Sequence, residues 1–135
     1  MKKAISILLL FAMVAAVFAG CAGKQGRPVS CDEVVAAYEA AGYQVYHRDY
    51  PEKEYGYSCC IEIDGEDGDH ISFHFFDTAV EAESYAEERQ WNWAVWLISV
   101  AMQQPTWLTT KTYGNIEIEY TTGSMYKPFQ QLIKA

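Results

Sequence analysis

Two stretches of strict alternation, joined by a short acidic turn, constrain this chain more than any other feature. In residues 57–64, Tyr57, Cys59, Ile61 and Ile63 alternate with Ser58, Cys60, Glu62 and Asp64. In residues 69–76, Ile71, Phe73 and Phe75 alternate with His70, Ser72 and His74. A period of two is the signature of a strand with one apolar face. Gly65-Glu66-Asp67-Gly68 is turn chemistry, so the two stretches are expected to form an antiparallel hairpin. If Ile63 pairs with Ile71, then Glu62 opposes Ser72 and Cys60 opposes His74. A slip of one residue would turn every side chain to the wrong face, so the register is strongly specified.

The remaining elements follow from local signals. Ser30 with Glu33 three residues on makes a capping box. The helix it opens runs over 31–41 and stops at Gly42, with Cys31, Val34, Val35 and Tyr38 on one face. A strand is expected over 43–48. Asp77 or Thr78 starts a helical stretch from Ala79 to about Met102, ended by Pro105. Its first half carries Ala82, Tyr85, Ala86 and Arg89 on one side. Its second half is apolar nearly all round, with Trp91, Trp93 and Trp96. Strands over 107–113 and 115–121 form a second hairpin about Gly114-Asn115. A final helix is predicted over 125–134, with Pro128 in its first turn. The expected class is α+β, with helices to one side. An antiparallel sheet of about five strands packs against a long helix, with short N- and C-terminal helices. Ile61, Ile63, Phe73, Phe75, Ile116 and Ile118 should share its core face.

The N-terminus carries an address. Lys2 and Lys3 precede an apolar run to Phe18, followed by Ala19, Gly20 and Cys21. This resembles a bacterial lipoprotein signal ending in a lipobox, with Phe18 where an aliphatic residue is usual. The resemblance implies a signal peptide over 1–20 and lipidation at Cys21. It also implies a tether over 21–29, a single domain over 30–135, and a cell membrane location facing outward from the cytoplasm. Two or more acyl chains give stable anchoring. The Ala41-Gly42-Tyr43-Gln44-Val45 turn and the acidic hairpin loosely resemble small lipoproteins of gut-type bacteria that have no assigned activity.

Charge and cysteines narrow the function classes. The formal charge is −8 and becomes −10 without Lys2 and Lys3. Nucleic-acid binding requires a basic patch, so it is excluded as a partner. Cys31, Cys59 and Cys60 remain once Cys21 is lipidated, an odd number in an exported chain. One of them is therefore free or bonds between chains. Neighbouring Cys59 and Cys60 point to opposite faces of a strand, and Cys31 can bond either.

No nucleophile elbow, phosphate loop, His-Glu-x-x-His or Cys-x-x-Cys occurs. Asp64, Glu66, Asp67 and Asp69 lack calcium-loop spacing and read as a solvated turn. Opposed on the polar face, Cys60 and His74 are the one candidate pair for a thiol or metal site. Two ligands fall short of the three or four that zinc takes from protein. Trp91, Trp93 and Trp96 are candidate binding residues, the alternative being core. The expected function is a non-enzymatic envelope binding module without cofactor. Its partner would be an envelope protein, a glycan or a small ligand. The alternatives are a small envelope enzyme or thiol/metal protein using Cys60 and His74, and a structural component.

Overall fold

The structure is a computed structural model. It describes residues 26–100 and 108–135, with the side chains of 91–100 excepted. The signal, Cys21, Trp107 and the side chains of Trp91, Trp93 and Trp96 therefore lie outside the described residues. The elements are α1 (Cys31–Ala40), β1 (Val45–Asp49), β2 (Cys59–Asp64), β3 (His70–Phe75), α2 (Ala79–Val100), β4 (Thr109–Tyr113), β5 (Ile116–Tyr120) and α3 (Gly123–Lys134). The five strands form one antiparallel sheet in the order β1-β2-β3-β5-β4. The class is α+β.

Local signals explain where the elements begin. Ser30 Oγ accepts the Glu33 N–H, and the Glu33 carboxylate accepts the Ser30 N–H at 2.8 Å. Thr78 and Glu81 make the same reciprocal cap at the start of α2, so Thr78 and not Asp77 is the cap. Gly114 takes φ 56° in the two-residue β4–β5 loop, a conformation that suits a residue without Cβ. Between β2 and β3 the acidic turn is a single 3-10 turn over Glu66–Gly68. The Asp69 carboxylate accepts the hydroxyls of Thr121 and Thr122, which ties this turn to the start of α3.

The hairpin register is the expected one, with Ile63 opposite Ile71, Glu62 opposite Ser72 and Cys60 opposite His74. Ile61, Ile63, Ile71, Phe73, Ile116 and Ile118 are 0% exposed and share one core. Tyr38 of α1 and Phe129 of α3 close over them, their rings 5.5 and 5.3 Å from Phe73. The Tyr38 hydroxyl donates to the Met125 carbonyl at 2.7 Å, joining the two helices. Burial pushes this phenol well above its ordinary range.

Three expectations need correction. The helices do not lie to one side: α1 and α3 meet the Phe73 face, while Tyr85 and Arg89 of α2 meet the His74 face. The alternate face is consequently not wet. Ser72, His74, Glu117 and Glu119 are all buried. Pro128 sits inside α3, beyond its first turn, because the helix already starts at Gly123. Cys31 and Cys59 form a disulfide, leaving Cys60 free and buried.

Candidate functional site

The second face of the sheet holds a row of unlike side chains. Cross-strand register aligns Arg48 of β1, Cys60 of β2, His74 of β3, Glu117 of β5 and Thr112 of β4. The next row is Tyr46, Glu62, Ser72, Glu119 and Thr110. Directly opposed residues hold their Cβ atoms about 5 Å apart, so each row is a chain of side-chain neighbours.

His74 is the centre. Its Nδ1 lies 2.7 Å from Glu117 Oε2, and both residues are buried, Glu117 completely. This contact engages Nδ1 and leaves Nε2 as the other ring nitrogen. Tyr57 and Tyr85 flank the imidazole with ring centroids 4.6 and 5.5 Å away. The second Glu117 oxygen, Oε1, has no hydrogen-bond partner among the described residues. An unpaired buried carboxylate oxygen is costly.

Glu119, two residues along β5, is held differently. Arg89 grips it with Nε at 2.9 Å and Nη2 at 2.8 Å, a bidentate pair, and also donates to the Tyr85 hydroxyl. Burial raises the Glu119 carboxyl, the neighbouring Glu117 raises it further, and Arg89 works against both. Arg89 sits on the α2 stripe of Ala82, Tyr85 and Ala86, where a lone arginine signals a buried carboxylate partner. That was the cue in the sequence for this network. Glu117 and Glu119 alternate with isoleucines and read, on sequence alone, as a solvated face.

Cys60 and His74 are adjacent as the sequence implies, but no hydrogen bond joins them. Burial pushes the Cys60 thiol up to about 11, with Glu62 adding to the shift. It is protonated at neutral pH and poorly nucleophilic. Alkylation of Cys60 by iodoacetamide at pH 8 should run on the order of 100-fold slower in the folded chain than in urea. Labelling at equal rates would contradict the burial. His70 does not join this pair, since its Nδ1 lies 2.8 Å from Asp64 Oδ1.

Beside this network a groove of about 460 Å³ opens over β1 and β2. Its lining includes Tyr46, Arg48, Tyr57, Cys60, Glu62, His74 and Arg89. Tyr50 and Tyr57 belong to its lining, and Tyr55 packs on both, the three ring centroids lying 5.2–5.9 Å apart. Burial and the nearby Tyr85 push the Tyr57 phenol up to about 12, so it stays a hydrogen-bond donor across the physiological range. Tyr46 is 52% exposed. Alternation places Tyr57 on the face of Cys59, Ile61 and Ile63, but its ring lies on the His74 face, because β2 begins only at Cys59 and Tyr57 precedes the strand.

No protein-family model, curated protein or solved structure matches the chain. Among the described residues no helix is long and apolar enough to cross a membrane.

Proposed function

We propose that this chain is a bacterial envelope lipoprotein, anchored by lipid at Cys21, whose domain is a non-enzymatic binding module. Its ligand is a saccharide taken into the groove over Tyr46, Arg48, Glu62 and His74. The observation that carries the reading is that groove, in which the exposed Tyr46 and the half-buried Tyr50 and Tyr57 stand beside donors and acceptors of both charge signs. A sugar ring matches it, because one face is rich in C–H and its edge in hydroxyls. Tyrosine serves such contacts with an apolar ring and a polar tip. The mixed charge of the lining and the acidic surface disfavour a polyanion. Against a thiol enzyme, the Cys60 thiol beside His74 is protonated at neutral pH.

The finer architecture belongs to the same proposal. A long α2 lies across the second face, and Trp91, Trp93 and Trp96 on it offer a further surface to an envelope protein partner.

Calorimetric titration of the full chain in detergent with neutral, N-acetylated and acidic oligosaccharides tests the reading. One class should bind, and Tyr46→Ala should weaken it roughly tenfold or more while leaving the melting temperature nearly unchanged. If no class binds, the saccharide reading is wrong.

The anchor has its own test. Cys21→Ser should move the chain from the membrane to the soluble fraction. Retention in the membrane with unchanged gel mobility would contradict lipidation.

A further inference from the structure

On the opposite face of the sheet, at its β1 edge, lies a second cluster. Cys31 opens α1 and Cys59 opens β2, and their disulfide spans a Cα–Cα distance of 6.8 Å. His47 pairs with Ile61 in the β1–β2 register and therefore shares the face of Cys59. A ring nitrogen of His47 and the two sulfurs all lie within 4.8 Å of one another. We infer that Cys31, Cys59 and His47 form a zinc site that becomes available when the disulfide is reduced.

The ligand set suits that ion. Two thiolates and one imidazole are a common zinc donor set, and three protein ligands leave a fourth position for water. Zinc–sulfur and zinc–nitrogen bonds of about 2.3 and 2.0 Å bring ligand atoms to within roughly 4 Å of each other. Small side-chain shifts from the present spacing achieve this. Asp49 Oδ1 lies 3.0 Å from His47 Nε2. A carboxylate beside a ligating imidazole fixes its tautomer and orientation. His47 is exposed and Cys31 half-buried, which opens a path for both reductant and ion.

The chemistry balances with a dithiol as reductant. The dithiol gives two electrons and two protons to the Cys31–Cys59 bond, yielding two thiols and its own cyclic disulfide. Zinc then binds two thiolates and the imidazole and releases two protons. In the oxidised chain the sulfurs are bonded to each other and cannot act as thiolate ligands.

The test uses the full chain carrying Cys21→Ser and Cys60→Ala, so that Cys31 and Cys59 are its only cysteines. After reduction with a dithiol and its removal without oxygen, the chain is titrated with Co²⁺. One cobalt per chain should bind with visible tetrahedral and thiolate charge-transfer bands, and Zn²⁺ should displace it. The oxidised chain should give neither band. His47→Ala should weaken binding about tenfold or more, and Asp49→Asn about tenfold, with unchanged circular dichroism before metal is added. Failure of the reduced chain to bind cobalt, or equal affinity in His47→Ala, would overturn the inference. If reduction unfolds the chain, zinc should restore its circular dichroism, and no recovery would overturn it equally.

Discussion

His74→Ala is expected to lower the free energy of unfolding by about 3–5 kcal/mol at pH 7. Glu117 is 0% exposed, and the imidazole is its one hydrogen-bond partner among the described residues. Removing the ring strands a carboxylate that solvent does not reach, and such a group must either stay charged in a low-dielectric interior or take up a proton. Both outcomes are unfavourable. Glu117→Gln is the informative contrast. It keeps an acceptor for His74 Nδ1 and removes the charge, so it should cost less than about 1.5 kcal/mol. Urea unfolding of the two variants checks the pair. Equal losses would mean that packing, rather than the isolated carboxylate, sets the cost.

Phe73→Ala should be comparably damaging, by about 3–5 kcal/mol, for a different reason. Phe73 is 0% exposed at the centre of β3, opposite Ile61 on one side and Ile118 on the other. The rings of Tyr38 and Phe129 cover it from α1 and α3. Truncation leaves a cavity where the sheet meets both helices, and the disulfide at Cys31 limits how far α1 can settle into it. Val80→Ala, at a site 70% exposed, should stay within about 0.5 kcal/mol. A small loss for Phe73→Ala in urea would show that this layer is not the main core.

What the sequence makes legible is what local chemistry decides. The Ile61-Glu62-Ile63 and Ile71-Ser72-Phe73 alternation sets the hairpin register, because any slip exposes the isoleucines. Ser30 with Glu33 sets the start of α1, because both partners lie within one turn. Coverage of a face is not local. Glu117 and Glu119 alternate like solvated residues, and only partners from other elements, His74 for Glu117 and Arg89 for Glu119, go with their burial. The partner of Cys31 is equally non-local, since Cys59 and Cys60 differ by one residue and face opposite ways. The cluster of His47 with that disulfide depends on the β1–β2 register, which short edge-strand sequence specifies weakly. Pro128 falls beyond the first turn because α3 starts at Gly123 rather than at Met125.

The central claim is that ligand enters the groove above His74. It is tested most directly by two-dimensional NMR of the full chain carrying Cys21→Ser, titrated with the oligosaccharide class that calorimetry selects. Ring resonances of His74, Tyr46 and Tyr57 should shift saturably, while those of Phe73 and Phe129 on the other face stay in place. Shifts confined to the tryptophan indoles of residues 91–107, with His74 unmoved, would contradict the account.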